Sequence, residues 1–405
     1  MRNLLTWILA GLSMTGALAI DMYLPSFHGI GASFAASPAL VQQTLSAFLF
    51  AFAFMMLFSG TLSDSFGRRP LILGSLALYG AASFGAAVAP SLGWLLACRV
   101  LQGLAAGVST VVGRAVIQDR LSGADAQRMM ASVMMVFGLA PAIAPILGGW
   151  LHTAFGWRSV FLFLGSFGAL MLLVCWRSLP ESLPVERRHA FHPGVIAKAY
   201  WEVLRDRRFL LLALAFGLSF GGIALYIGSA ASFVVGILHL PETAFGWMFI
   251  PLIGGMVCGS AAAGRLAARM PQARQIRVGY GVMGAAALVN VLYNALWAAA
   301  LPWAVLPLFF YAFGVALAMP ALTLAGMALF PERSGLAASL QGFVQMVVFA
   351  LVSGLLAPVL FDSALKLACG VLAAAVASAL CWLRAGGSAV AAEAAALSNP
   401  ARQSS

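Results

Sequence analysis

Polar positions in this chain come in short bursts between long apolar runs. Each run is about 20 residues or longer, enough at roughly 1.5 Å per helical residue to cross a hydrocarbon core about 30 Å thick. Twelve runs can be marked: 4–24, 40–63, 70–89, 92–117, 129–152, 158–178, 208–235, 243–265, 276–298, 302–328, 335–359 and 363–384. The polar segment DRLSGADAQR between the fourth and fifth reads as a loop. The pattern predicts an all-α polytopic membrane protein of twelve transmembrane helices.

The longest polar stretch, LPESLPVERRHAFHPGVIAKAYWEVLRDRR, divides the spans six and six. This gives an N-terminal half (1–178), a central loop (179–207), a C-terminal half (208–384) and an Ala-rich tail (385–405) expected to be disordered. An echo supports duplication. GTLSDSFGRRP starts at Gly60 and GRLAARMPQAR at Gly264, each after the second span of its half and each running from Gly-x-Leu to a basic turn. Ala268 stands in the second copy where Asp64 stands in the first.

Composition agrees, with 62% hydrophobic and 9% charged residues, against about 25% charged in soluble domains. A net charge of +11 could suggest a nucleic acid or acidic partner, but its distribution points elsewhere. Numbering the connections alternately, one side receives Arg2, Arg68, Arg69, Arg120, Arg128, the basic residues from Arg177 to Arg208, and Arg265 through Arg402. The other side receives Arg158 and Lys366. By the positive-inside rule both termini are cytoplasmic, and the basic surplus is a topology signal with some attraction to anionic lipid rather than to nucleic acid. Reading the N-terminus as a signal peptide cleaved after Ala19 would leave eleven spans and spoil this pattern.

The chemistry of soluble enzymes finds little support. A phosphate-binding loop needs lysine after glycine, whereas Lys198 follows Ala197 and Lys366 follows Leu365. No ATP site, cofactor or metal is expected. The five cysteines are scattered through the spans, and no two histidines have metal-ligand spacing on a helix.

Charges inside the spans are few, and each needs a reason. A carboxylate or guanidinium at the membrane centre costs about 2.5–3.5 kcal/mol on insertion scales. Asp21 lies roughly 26 Å along the first span, in its outer third, and Arg99 lies roughly 10 Å below the outer surface in the fourth. At similar depth the two could pair across a water-filled cavity, offsetting much of the cost for both. The alternatives are a purely structural pair, Asp21 capping the outer interface beside Pro25, or Arg99 snorkelling outward. Arg114, near the inner edge, reads as an interfacial cation. In the second half the candidate cavity residues are Phe220, Tyr226, Asn290, Asn294, Tyr311, Gln341 and Gln345. Gln341 and Gln345 share a helix face; they either bind substrate or hydrogen-bond between helices.

Several motifs carry a family resemblance. GTLSDSFGRRP resembles the loop signature of the major facilitator superfamily at Gly60, Leu62, Asp64, Gly67, Arg68 and Arg69, with Ser65 departing from the usual arginine. The resemblance implies an inner latch, with Asp119 as the partner of Arg68 or Arg69. The plainer reading is topogenic arginines in a solvated loop. RVLQGLAAG is similar to the fourth-helix signature of proton-driven exporters, with Gly103 and Gly107 on a close-packing face. GLAPAIAPILGGW resembles the antiporter signature of the fifth helix at Pro145, Gly148 and Gly149, and two prolines one turn apart, Pro141 and Pro145, predict a kink.

With DMYLP at the end of the first span, the chain resembles the bicyclomycin and chloramphenicol resistance (Bcr/CflA) branch of the drug:proton antiporters. That implies proton-coupled efflux of small amphipathic or neutral drugs across the bacterial inner membrane by alternating access between the halves. Asp21 would carry the proton, Arg99 would be its electrostatic partner, and the protein is expected to act as a monomer. The alternative is a transporter of the same fold for a small metabolite such as a sugar, an organic acid or an amino-acid derivative.

Overall fold

The structure, a computed structural model, describes residues 2–120, 123–188, 193–267 and 269–386. Among the described residues eleven helical segments are long and apolar enough to cross a membrane. Helix α6 (Gly123–Phe155), in the place of the fifth span, completes twelve.

The first span holds α1 (Arg2–Asp21), a 3₁₀ turn (Leu24–Ser26) and α2 (Phe27–Phe34). Pro25 lacks the backbone N–H that an α-helix would use there, which accounts for the local change of winding. The span therefore continues well past residue 24, and Asp21 lies near the middle of Leu4–Phe34 rather than in its outer third. Next come α3 (Pro38–Phe66), α4 (Arg68–Ala87), α5 (Leu92–Arg120), α6 and α7 (Arg158–Ser178). Ser37 caps α3 by accepting from the Leu40 amide. Gly67 alone separates α3 from α4, at φ 95°, a conformation that only glycine adopts without strain. Apart from Leu121 and Ser122, which lie outside the described residues, DRLSGADAQR is helical rather than the loop expected. Helix α5 runs through Arg120 and α6 starts at Gly123, so Asp119 sits on a helix. Helix α6 passes through Pro141 and Pro145 without ending.

The central segment is also more structured than a loop, with a 3₁₀ turn at Val185–Arg187 and helix α8 (Pro193–Arg205). Then follow α9 (Arg207–Gly228), a π-helical turn (Ser232–Ile237), α10 (Gly246–Ala267), α11 (Gln272–Leu296) and α12 (Leu306–Ala328). The eleventh span joins α13 (Ser334–Leu351), a π-helical segment (Val352–Leu356) and α14 (Ala357–Leu360), and α15 (Ala364–Arg384) is the twelfth. Residues 387–405 lie outside the described residues.

The chain divides into two packed units. One is Met1–Phe191 with Leu240–Phe249, and the other is His192–His239 with Ile250–Ser405. Residues 240–249, the end of the α9–α10 connection and the first turn of α10, thus pack with the first unit, although the chain reaches them only after α9. In the first unit Leu12, Ile72, Leu76, Val112 and Met171 share one buried cluster; in the second Leu212, Phe216, Ile276, Leu322 and Trp382 share another. Lipid tails are as apolar as these side chains, so close backbone approach must hold the helices together. Gly103 and Gly107 of α5 supply it. A Cβ on either would run into the backbone oxygen of Phe48 or Phe52 in α3. Gly255 and Gly259 of α10 do the same against Phe309 and Phe313 of α12.

Candidate functional site

Arg99 is completely buried, which removes the outward-snorkelling reading. Its Nη2 donates to the Ala19 carbonyl at 2.9 Å, Nη1 to Gln102 Oε1 at 2.9 Å and Nε to the Thr44 carbonyl at 3.5 Å. Gln102 donates onward to Ser83 Oγ at 2.7 Å. The guanidinium carbon lies 4.2 Å from the Tyr23 ring centroid and 4.3 Å from that of Phe48. Three acceptors and two π faces thus solvate this cation, a geometry suited to the flat guanidinium.

Asp21 is 3% exposed, and its Oδ1 has no hydrogen-bond partner among the described residues. The expected ion pair with Arg99 is not formed. Helix geometry gives the reason. Arg99 grips the turn at Ala19, and Tyr23, four residues on, returns to the same side. Asp21, two residues on, is turned roughly 200° away. Just beyond it the Met22 carbonyl is packed against Gly148 of α6, so closely that a Cβ there would overlap it. Arg114, the third charge of these spans, is exposed.

At the other end of the first unit lies a connected ionic cluster. Arg68 pairs with Asp64 at 2.6 Å and with Asp119 at 3.0 Å, and donates to Ser63 Oγ. Asp119 also accepts from Ser182 Oγ at 2.9 Å. Arg69 takes another partner, the Trp176 carbonyl, at 2.8 Å. Gly60 has open space where a Cβ would stand, so packing assigns it no role here.

Sequence reasoning missed the centre of this cluster, Glu181. Its carboxylate accepts from the backbone amides of Arg68 and Arg69 at 3.0 and 3.3 Å, capping α4 at its first turn. It also accepts from the amides of Ser182 and Leu183 and pairs with Arg188 at 3.5 Å. Arg120 donates to the Glu181 carbonyl at 2.9 Å. The available signal was a helix starting on two arginines directly after glycine, whose unsatisfied amides call for an anion. The lone acid between the prolines of LPESLP supplies it.

A second missed contact lies at the far end of α6. Gly149 is packed against the Glu242 backbone, and His152 Nε2 lies 2.9 Å from Glu242 Oε2. The His152 ring also presses on Gly29, while its buried Nδ1 has no partner among the described residues.

In the second unit the polar candidates hydrogen-bond between helices. Tyr226 accepts from Asn290 at 3.0 Å, joining α9 to α11, and Asn294 donates to the Asn290 side-chain oxygen at 2.9 Å. Tyr311 of α12 donates to the Ser219 carbonyl of α9 at 3.2 Å, and Gln341 of α13 to the Leu322 carbonyl of α12 at 3.3 Å. Phe220 stacks edge-on with Phe349. Gln345 is half-buried. A cavity of about 410 Å³ between α11 and α12 is lined by Val282, Val289, Tyr293, Trp303 and Phe310 and contains none of these candidates.

The sequence profile of the Major Facilitator Superfamily matches residues 8–353. A bicyclomycin resistance protein homolog of Haemophilus influenzae is 29% identical over 353 residues, covering 87% of this chain and 88% of that relative. A multidrug transporter, MdfA, of Yersinia pestis is 26% identical over 337 residues, covering 82% and 81%. Among solved structures, the human organic anion transporter MFSD10 superposes with a TM-score of 0.70 at 19% identity, covering 95% of this chain and 99% of its own. A bacterial homolog of the human lysosomal transporter Spinster gives 0.72 at 17% identity, covering 97% and 98%. At these identities the structural likenesses establish the fold alone.

Proposed function

From the premise that this chain belongs to the Major Facilitator Superfamily, we propose that it exports small amphipathic or neutral drugs from the cytoplasm in exchange for protons. The inner membrane is the proposed location, with both termini cytoplasmic, because the basic residues fall so unevenly between the two sets of connections. The names of the bicyclomycin and multidrug relatives supply the substrate class. The proton gradient, and not ATP, supplies the energy, and a monomer suffices.

One observation carries the coupling. A buried carboxylate, Asp21, has an oxygen without a partner among the described residues, while the expected counter-ion, Arg99, is satisfied elsewhere. Burial and cation approach act in opposite senses on a carboxylate's proton affinity. A group held by neither ion pair nor full hydrogen bonding can therefore load and release a proton as its surroundings change. Arg99 acts as a positioning residue: it fixes the turn at Ala19 and Tyr23 from which Asp21 projects. Asp64, Arg68, Asp119 and Glu181 latch the inner ends of the helices, and Gly148 and Gly149 let α6 approach neighbouring backbone.

The experiment is drug-triggered proton release from inverted membrane vesicles, over a panel including chloramphenicol and bicyclomycin, with binding measured alongside. Asp21→Asn should bind a transported compound yet fail to release protons. If that variant keeps coupled export, Asp21 is not the carrier. If no drug releases protons from wild-type vesicles, the metabolite reading takes its place.

A further inference from the structure

Helix α8 has two unlike faces. Val203 is fully buried, and Ala199, Tyr200 and Leu204 beside it are half-buried. Lys198, Trp201 and Arg205 follow at i, i+3 and i+7 on the other side, so they share one face. All three are exposed, Trp201 by 58%. The Arg205 guanidinium lies 5.3 Å from the Trp201 ring centroid. Arg207 and Arg208, also exposed, follow directly. Glu202, the one acid of this helix, is paired with Arg333 at 2.8 Å, and that hydrogen bond holds its carboxyl below the usual range. With Glu202 paired off, four cations, Lys198, Arg205, Arg207 and Arg208, stand against one acid, Asp206, around an exposed indole.

Its position follows from the chain. Asp206 caps α9, accepting from the Phe209 amide at 2.8 Å, and α9 is a membrane span that begins at Arg207. Helix α8 thus ends at the membrane surface, the depth at which tryptophan is favoured. A large exposed indole flanked by cations matches a bilayer interface, where the ring enters the headgroup region and the cations meet phosphates.

We propose that the Lys198–Trp201–Arg205 face of α8, extended by Arg207 and Arg208, is a docking surface for anionic phospholipid headgroups of the cytoplasmic leaflet. The proposal rests on the cytoplasmic placement of the central segment and is independent of what the protein transports. The interface holds α8 along the membrane plane, and the Glu202–Arg333 pair ties it to the connection between α12 and α13.

The test uses the full-length protein in phosphatidylethanolamine vesicles containing phosphatidylglycerol, with bromine on the tails of one lipid or the other. Subtracting the signal of Trp201→Phe isolates Trp201 from the other tryptophans. Brominated phosphatidylglycerol should quench Trp201 several-fold more than brominated phosphatidylethanolamine. The preference should vanish in a Lys198→Gln, Arg205→Gln variant, which keeps the topogenic Arg207 and Arg208. High salt should erase it in the wild type while leaving quenching by phosphatidylethanolamine in place. Equal quenching by the two lipids, none by either, or a preference indifferent to salt would each overturn the proposal.

Discussion

Arg99 and Tyr23 stack at 4.2 Å, with the guanidinium also donating to the Ala19 carbonyl one turn before the ring. Two contacts on one helical turn fix the end of α1 where its winding changes. Lysine offers a point charge with no plane to stack and cannot reach the same three acceptors. Arg99→Lys should therefore lose about 1.5–3 kcal/mol, the range for hydrogen bonds to charged groups. Tyr23→Phe keeps the π face and loses the hydroxyl, which contacts Thr44 at 3.2 Å and also interacts with Arg99, a loss of about 0.5–1.5 kcal/mol. Thermal unfolding in detergent ranks the two, and a lysine variant as stable as wild type would show that stacking is not the anchor.

Gly103 and Gly107 should tolerate no side chain, whereas Gly60 should tolerate one. The first two abut the backbone of α3, which cannot move aside like a flexible side chain, and Gly60 faces open space. Overpacking typically costs about 1–3 kcal/mol, so Gly103→Val should reduce folded yield sharply while Gly60→Ala melts with the wild type. Equal melting of all three would remove the close-packing account. Gly255→Val should behave like Gly103→Val, since α10 meets α12 by the same device.

These cases mark what could be read along the chain and what could not. The twelve spans, the close-packing glycines and the Arg68–Asp119 partnership depend on local apolar length, residue size and a short list of available charges. All three are visible in one dimension. The Asp21–Arg99 pair was expected because depth along a helix can be counted, but the direction a side chain faces around it is only known once the neighbouring helix is placed. Likewise the extent of the first span was hidden by DMYLP, whose polar look masks a change of winding rather than an end. Glu181 and Glu242 act through the folded chain on partners far away in sequence; the signal for Glu181 lay at the start of α4, more than a hundred residues before it, and nothing near Glu242 advertises its contact.

Glu181 should matter more to the inner cluster than Asp64 does. Its carboxylate accepts from four backbone amides, two of them at the start of α4. Asp64 is 43% exposed and supports only Arg68, which keeps Asp119 if Asp64 is lost. Removing an N-terminal cap costs about 1 kcal/mol, and removing an exposed pair costs less. Glu181→Ala should thus speed hydrogen exchange in the first turn of α4, and Asp64→Ala should leave it close to wild type. The reverse ranking would mean that the ion pair, not the cap, holds this turn.

The His152–Glu242 contact should decide whether residues 240–245 stay docked within the first unit. Two kinds of contact hold them there, the backbone of Glu242 against Gly149 and the 2.9 Å bond to the imidazole. The ring is itself wedged against Gly29, so it is positioned before the segment arrives. Glutamine at 152 can still donate to the carboxylate; alanine cannot, and it also removes the wedge. Hydrogen exchange over residues 240–245 should therefore rise in His152→Ala and Glu242→Ala but stay near wild type in His152→Gln. Because each single change breaks the same bond, the double variant should exchange little faster than either alone, with a coupling of about 0.5–3 kcal/mol. Strict additivity would mean that the backbone contact at Gly149 docks the segment by itself. In that case Gly149→Val should free it, whichever residues stand at 152 and 242.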